Sequence, residues 1–126
     1  MVAAELGVPF THSQRLARDT AGGLFPFKYK LPRGLRRSVA GKRVAIANDV
    51  INAGSAVRGT FIDLRVGGAN PVAIGTLAVL GDSAAQLAAE NELTLETIVA
   101  LTNQIWTPSE CPLCARNVPF SEAADI

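Results

Sequence analysis

A polar pair and a run of small residues carry the strongest chemical signal in this sequence. Asn48-Asp49 follows the short apolar run Val44–Ala47, and the small-residue turn Asn-Ala-Gly-Ser-Ala follows at 52–56. A carboxylate at this place can accept hydrogen bonds from hydroxyl groups, and it can stabilise a positive charge that develops on a bound substrate. Small residues at the start of a helix leave the backbone amides open to an anion. The spacing therefore predicts a site for a nucleotide or a sugar phosphate.

Such a site requires a strand before it and a helix after it. Val44–Ala47 has the apolar character of a buried parallel strand. Ala56–Val66 carries apolar residues every three or four positions, which predicts a helix with one apolar face. Pro71–Leu80 is apolar along nearly its whole length, as is typical of a central parallel strand. Together they form one right-handed crossover unit, which predicts an α/β fold with a parallel sheet.

Two common phosphate-binding motifs do not match this region. A Walker loop needs Lys followed by Ser or Thr after the strand, whereas Gly41-Lys42 precedes the strand and Arg43 comes next. The dinucleotide fingerprint needs three glycines in fixed register, and the turn supplies Gly54 alone before Gly59. We therefore expect a phosphate site of a different kind.

Length and composition limit the class of protein. The chain has 126 residues, of which 48% are hydrophobic, and a formal net charge of +1. These values indicate one domain over residues 1–126 and give no indication of nucleic-acid binding. No apolar run approaches the roughly 18 residues of a membrane helix, and Met1–Pro9 lacks the basic start and apolar block of a signal peptide. We expect a cytoplasmic protein with no membrane partner.

The segments before the crossover unit are predicted from turn residues and alternation. Met1–Leu6 is predicted to be the last turns of a helix that Gly7 caps, and Val8–Gln14 a short strand. A start within a helix suggests either that an N-terminal portion of the domain is missing or that the protein is a naturally short or truncated form. The stretch from Phe25 to Leu31 alternates apolar and polar side chains and is predicted to be a strand.

Residues 22–40 hold a concentration of positive charge and are predicted to form a flexible basic loop that covers an anionic substrate. The alternative is a solvated edge hairpin that its lysines keep soluble. The basic residues proposed to meet the substrate are Lys28, Lys30, Arg33, Arg36 and Arg37.

Two helices and an irregular tail are predicted after the strand at Pro71–Leu80. Asp82 or Ser83 is expected to cap a helix over Ala84–Glu90, and Thr94 to start another helix with a sequence close to a capping box. The apolar face of that second helix would consist of Ile98, Leu101 and Ile105. Residues 106–126 contain three prolines and are predicted to be an irregular tail.

Five further residues have chemistry that the predicted site does not use. Cys111 and Cys114 form a single Cys-x-x-Cys, which is half of a zinc site, a redox pair or a reduced structural turn; we favour the turn, and a zinc shared across a dimer stays open. His12 is better explained as a strand or loop residue than as a base. Arg58 is expected on the solvent side of its helix, and Trp106 in the core or in a lid.

Val44 to Ala56 resembles the phosphoribosyl-pyrophosphate signature of type I phosphoribosyltransferases, with Asn48 at its first acidic position. Almost the whole chain is similar to the C-terminal two-thirds of bacterial orotate phosphoribosyltransferases. The motifs that carry this resemblance are Gly23-Leu24-Phe25-Pro26, Leu31-Pro32-Arg33-Gly34-Leu35-Arg36, the run from Asn48 to Thr60, and Trp106-Thr107-Pro108-Ser109-Glu110-Cys111-Pro112-Leu113-Cys114. The fold implied is the parallel-sheet type I phosphoribosyltransferase fold, N-terminally incomplete.

The resemblance implies roles for the residues of the signature. The catalytic pair is Asp49 and Asn48: the carboxylate meets the ribose hydroxyls and the oxocarbenium-like centre, and the amide adds a hydrogen bond without charge. Asn52 is also the expected contact for the base. The substrate's 5-phosphate is expected to lie on the turn Asn52, Ala53, Gly54, Ser55 and Ala56. No protein ligand is assigned to Mg²⁺, which the pyrophosphate group would carry.

The resemblance implies a reaction and partners as well. A phosphoribosyl group would pass from phosphoribosyl pyrophosphate to a pyrimidine base, with orotate as the expected base. The products would be a nucleoside 5'-monophosphate and pyrophosphate. The enzyme would depend on Mg²⁺, act in pyrimidine biosynthesis and form a homodimer whose basic loops cover the neighbouring sites.

Three differences from the orotate enzymes leave two alternatives open. The basic segment lacks their Arg-Lys-x-x-Lys-x-His pattern, no arginine follows Leu80, and their first strand with its pyrophosphate loop would precede Met1. One alternative is the same transfer to a different base. The other is a non-catalytic or regulatory module that binds a sugar phosphate.

Overall fold

The computed structural model describes residues 2–17, 27–104, 106–107 and 109–119. Predictions that concern residues 22–26, Ile105 and the end of the tail lie outside these ranges. The elements in chain order are α1 (Val2–Glu5), β1 (Gln14–Ala17), β2 (Phe27–Lys30), α2 (Arg36–Val39), β3 (Arg43–Ile51), α3 (Ser55–Val66), β4 (Asn70–Leu80), α4 (Ser83–Glu90) and β5 (Thr94–Leu101), with 3₁₀ turns at Arg33–Leu35 and Cys114–Arg116. None of the helices in the described ranges has the length and apolar character that crossing a membrane requires.

A three-stranded parallel sheet in the order β3-β4-β5 forms the centre of the fold. α3 connects the first pair of strands and α4 the second, so the sheet consists of two consecutive crossover units. This confirms the predicted α/β class and the predicted strand at Pro71–Leu80. β3 is longer than predicted, because its ladder with β4 continues to Ile51↔Val79. Asn48-Asp49 therefore lies within the strand rather than at its end.

The core lies between this sheet and the two crossover helices. Ile51 and Ile74 are 1% and 0% exposed, and Val57 and Leu64 of α3 and Leu87 of α4 belong to the same buried cluster. Each side chain of this size stabilises the fold by about 1.5–3 kcal/mol when fully buried. Burial of one face of α3 explains why its predicted limits agree with the observed ones to within one residue.

β5 contradicts the prediction of a helix that starts at Thr94. Thr94–Leu101 pairs in parallel with β4 from Ala73↔Thr94 to Leu80↔Leu101. Half of its residues are β-branched, and such side chains favour a strand. Ile98, predicted to lie on an apolar helical face, is 80% exposed on the outermost strand. The backbone hydrogen bonds to β4 outweigh the resemblance to a capping box.

The N-terminal region agrees with its prediction only in part. α1 ends as predicted near Gly7, whose φ of 62° lies in the left-handed region that glycine adopts without strain. The strand predicted at Val8–Gln14 is wrong, since β1 begins at Gln14 and pairs antiparallel with β2. Residues 8–13 have no partner strand among the described residues, and pairing rather than local composition sets the start of the strand.

The predicted basic loop is largely regular structure in its described part, residues 27–40. It contains β2, a 3₁₀ turn and α2, and β2 packs on α3. This contact is close: a Cβ added to Gly59 of α3 would lie 3.1 Å from Cβ of Tyr29. In the described part of the predicted tail, residues 106–107 and 109–119, the regular element is the 3₁₀ turn Cys114–Arg116.

Candidate functional site

The turns that follow the three parallel strands meet at the carboxyl edge of the sheet. Residues 52–54 follow β3, Gly81-Asp82 follows β4, and residues 102–104 follow β5. In open α/β sheets, ligands bind outside this edge, because the strand ends and helix starts leave backbone groups without partners there. The predicted phosphate turn thus lies where the fold is able to bind a ligand.

The turn at 52–56 has the backbone shape of an anion site. Gly54 precedes α3 with φ 76° and ψ 4°, a left-handed conformation that a residue with a Cβ adopts only with strain. In the part of the chain that the structure describes, the backbone amides of 53–56 donate no hydrogen bond to a protein group. Their residues are half-buried rather than enclosed. This end of a 12-residue helix can therefore accept a phosphate through several amides and the helix dipole.

The polar pair, Asn48 and Asp49, lies near the end of β3, just before this turn. The Asp49 carboxylate is exposed, and its Oδ1 accepts a hydrogen bond of 2.7 Å from the Val50 backbone N–H. Thr76 of β4 donates its hydroxyl to the Asp49 carbonyl oxygen at 2.9 Å, which holds this part of β3 against β4. The half-buried Asn48 donates its side-chain amide to the Val50 carbonyl at 3.1 Å. Asp49 thus presents an oriented negative charge to solvent, whereas Asn48 is used within its own strand.

Asn52 connects the phosphate turn to the other two strand ends. Its carbonyl oxygen accepts a hydrogen bond from the Ser83 hydroxyl, at the start of α4. Its side-chain oxygen accepts a hydrogen bond of 2.8 Å from the side-chain amide of Asn103, which follows β5. Both oxygens of Asn52 are thus engaged within the protein. The contact of Asn52 with a base stays a prediction.

The five predicted basic residues differ in their surroundings. Arg36 donates to the Asp63 carboxylate of α3 at 2.6 Å, and Asp63 also accepts the Leu31 backbone N–H at 2.8 Å. This arrangement ties the basic segment to α3.

Four of the basic side chains are exposed: Lys28, Lys30, Arg33 and Arg37. Arg33 and Arg37 belong to the segment that leads through Gly41 into the amino end of β3, away from the turn at 52–56. Lys28 and Lys30 lie on β2, which packs on α3, and are the better placed candidates for the pyrophosphate group.

A shallow depression of about 340 Å³ adjoins the site on the side of β5. It is lined by Thr102, Asn103, Gln104 and Trp106, and Trp106 is 42% exposed. Asn103 is common to the depression and to the hydrogen bond with Asn52. Trp106 is therefore not a core residue, and its exposed ring could stack on a planar group.

The Cys-x-x-Cys forms a turn with two different thiols. Both cysteines are free, and the Cys114 backbone N–H points at the Cys111 sulfur at 3.5 Å. That backbone hydrogen bond, together with one from the Cys114 thiol, lowers the pKa of Cys111. The same thiol contact raises the pKa of Cys114, since a donated proton is held more firmly. The described residues contain no group of three or more His, Cys, Asp or Glu side chains that could hold a metal ion.

We expect iodoacetamide near pH 7.5 to alkylate Cys111 before Cys114, because thiolate is the reactive form and its fraction rises as the pKa falls. Mass spectrometry of timed samples measures the order. The Cys114→Ala variant keeps the backbone N–H and loses the thiol donor, so the pH midpoint of Cys111 alkylation should rise only part of the way towards that of free cysteine. Equal alkylation rates in the unmodified chain would contradict the hydrogen-bond pattern.

The sequence reasoning missed Asn103 entirely and gave Ser83 only a capping role. Asp82 occupies the N-cap position of α4 without a side-chain capping bond, and the Ser83 hydroxyl binds the neighbouring turn instead. The signal for Asn103 was its position two residues after a parallel strand. The prediction of a helix from Thr94 concealed that signal.

Sequence comparison identifies two curated relatives, although no protein-family model matches the chain. Orotate phosphoribosyltransferase of Thermotoga maritima is 28% identical over 79 residues, which are 63% of this chain and 40% of the relative. Orotate phosphoribosyltransferase of Caldanaerobacter subterraneus subsp. tengcongensis is 30% identical over 91 residues, 72% of this chain and 45% of the relative. The chain thus spans less than half the length of the curated relatives that it matches.

Two solved structures share the fold. Orotate phosphoribosyltransferase from Aeropyrum pernix superposes with a TM-score of 0.56 at 23% identity, over 80% of this chain and 52% of that one. Adenine phosphoribosyltransferase from Thermoanaerobacter pseudethanolicus gives 0.57 at 14% identity, over 79% and 61%. At these identities the two solved structures establish only the fold. The sequence resemblance rests on the two curated relatives. The chain therefore has the type I phosphoribosyltransferase fold, and its sequence resembles that of orotate phosphoribosyltransferases.

Proposed function

We propose that this chain binds phosphoribosyl pyrophosphate and transfers its phosphoribosyl group to a nucleobase, with orotate as the first base to test. The observation that carries the proposal is the turn at the carboxyl edge of the sheet. Gly54 is left-handed there, and the backbone amides of 53–56 donate no hydrogen bond to a described protein group. The orotate phosphoribosyltransferases that the chain resembles support the choice of substrate.

The turn would bind the 5-phosphate of the substrate. Its amides each contribute a directed hydrogen bond, and the helix dipole adds about 0.3–1 kcal/mol per charge, rising to about 2 kcal/mol in a partly buried geometry. Because no single term gives firm binding, the amides of Ala53 to Ala56 and the hydroxyl of Ser55 act together. The half-buried position of these residues strengthens each interaction relative to open water.

Asp49 would act at the ribose. With Oδ1 held by the Val50 amide, the carboxylate has a fixed orientation and keeps Oδ2 for the sugar hydroxyls. The bond from ribose C1 to the pyrophosphate oxygen breaks, with its electron pair leaving on pyrophosphate, as the bond from C1 to a base nitrogen forms; the proton of that nitrogen passes to solvent or to the released pyrophosphate. Positive charge develops at C1 and the ring oxygen meanwhile, and a carboxylate stabilises it. Asn48 cannot provide this charge.

Mg²⁺ fits the site as an ion that the substrate brings. It prefers octahedral oxygen ligands and keeps several waters, so one or two carboxylates with phosphate oxygens are enough. Asp49 is the exposed carboxylate on β3 that could serve it. When bound, the ion would neutralise charge on the pyrophosphate group, and the exposed Lys28 and Lys30 of β2 would add to that effect.

Calorimetric titration with phosphoribosyl pyrophosphate and Mg²⁺ tests the first step, and pyrophosphate release with orotate and then with other bases tests the second. Saturable binding followed by release with orotate supports the proposal in full, whereas release with another base only corrects the base. Binding without any turnover favours the second candidate, a non-catalytic sugar-phosphate module, which the neutral Asn48 supports. No binding at all would overturn both.

The Asp49→Asn variant should release pyrophosphate more than tenfold more slowly, a loss of about 1.4 kcal/mol or more in transition-state stabilisation. Asparagine keeps an oxygen for the Val50 amide and removes only the charge, so the melting temperature should not change. Glu96→Gln on β5 removes an exposed carboxylate from the same sheet and should leave the rate unaltered. A folded Asp49→Asn variant with the parent rate would exclude Asp49 from the mechanism.

A further inference from the structure

We propose that Ser83 and Asn103 are positioning residues that hold the 52–56 turn in the shape that binds a sugar phosphate. The inference rests on the proposed function. It means that residues following β4 and β5 hold the phosphate turn between β3 and α3 in place. Neither residue touches the substrate in this proposal. Both act through Asn52 and Gly54.

Ser83 acts on the turn at two points. Its hydroxyl donates to the Asn52 carbonyl, and its side chain lies against Gly54, where an added Cβ would be 3.2 Å from Ser83 Oγ and 3.4 Å from Ser83 Cβ. A serine in the first turn of a helix commonly bonds to its own helix start. Here the hydroxyl joins a different crossover unit instead. This contact limits the movement of Asn52 and Gly54 on the side of α4.

Asn103 holds the same turn from the side of β5. Its side-chain amide donates to the Asn52 side-chain oxygen at 2.8 Å. The segment that carries it is itself fixed, because the Gly81 amide donates to the Leu101 carbonyl at 2.9 Å. Gly81 has φ 73°, and a Cβ there would lie 3.0 Å from the Asn103 carbonyl oxygen. Only glycine permits this close approach of the two strand ends.

Fixing the turn in advance matters because the phosphate needs several amides at once. If the turn sampled several conformations, ordering it on binding would cost free energy, and the affinity would fall by that amount. Gly54 is the residue with the widest conformational choice in this segment. The contacts of Ser83 and Asn103 therefore select one of its conformations before the ligand arrives.

Two measurements test the inference on the whole chain. Amide order parameters of Ala53, Gly54 and Ser55 are measured by NMR in the ligand-free protein, and the Kd is measured with ribose 5-phosphate as the probe. Ser83→Ala should lower the order parameters and weaken the probe about threefold to tenfold, the usual range for one hydrogen bond. Asn103→Ala should change both in the same direction, and Ser83→Thr, which keeps the hydroxyl, should restore much of the affinity.

A matched control separates this effect from general loosening. Ser13→Ala removes another hydroxyl contact between distant segments, the 2.8 Å bond to Thr60 of α3, and should change neither measurement. Parent values for both measurements in Ser83→Ala and Asn103→Ala would overturn the inference. If the unmodified chain fails to bind ribose 5-phosphate, the proposed function fails, and the order parameters of the free chain still decide whether the two residues hold the turn.

Discussion

Replacing Gly54 by alanine should weaken binding of ribose 5-phosphate or phosphoribosyl pyrophosphate by more than tenfold. The left-handed backbone at Gly54, with φ 76°, costs a residue with a Cβ about 1–2 kcal/mol. The new Cβ would also lie 3.2 Å from Ser83 Oγ and disturb the bond from that hydroxyl to Asn52. Both effects move the amides of 53–56 away from one another. Titration calorimetry with each ligand measures the loss.

Gly68→Ala is the matched control, because it carries the same backbone strain at the opposite end of α3. Its φ is 78°, no atom lies within 4 Å of an added Cβ, and its carbonyl accepts the Gly41 amide at the amino edge of the sheet. It should lose a similar amount of stability and keep the parent affinity. Similar affinities for the two variants would show that the turn at 52–56 is not the phosphate site.

The parts of the fold that the sequence predicts correctly are those in which local pattern and tertiary burial agree. The apolar run that opens β3, the face of α3 and the apolar β4 all belong to one buried cluster, so periodicity alone locates them. β5 shows the opposite case. Its β-branched residues favoured a strand, but Thr94 also fits a helix start, and only pairing with β4 decides between them.

The candidate site divides in the same way. The turn at 52–56 is encoded locally, by small residues between a strand and a helix, and its position at the sheet edge follows from the crossover unit. Ser83 and Asn103 are 31 and 51 residues from Asn52 in sequence, and no local pattern reveals that they meet it. The sequence equally fails to show that Arg36 forms an ion pair within the fold, because its partner Asp63 lies 27 residues away on a helix.

The largest effect on stability is expected from Asp63→Ala, which should lower the free energy of unfolding by about 2–4 kcal/mol. The Asp63 side chain is 9% exposed, and it accepts both the Arg36 guanidinium at 2.6 Å and the buried Leu31 amide at 2.8 Å. Alanine leaves a buried N–H donor without its acceptor and a partly buried cation without its counter-charge. Urea denaturation, followed by circular dichroism, measures the change.

Glu90→Ala is the control, because it breaks the other ion pair of the described residues, Arg58–Glu90. Those groups are 3.5 Å apart with side chains 47% and 58% exposed, so solvent screens the pair and its loss should cost less than about 1 kcal/mol. Arg36→Met keeps the aliphatic contacts and leaves Asp63 with the Leu31 amide alone, so it should fall between the two. If Asp63→Ala and Glu90→Ala lose the same stability, the two hydrogen bonds of Asp63 do not fasten the basic segment to α3.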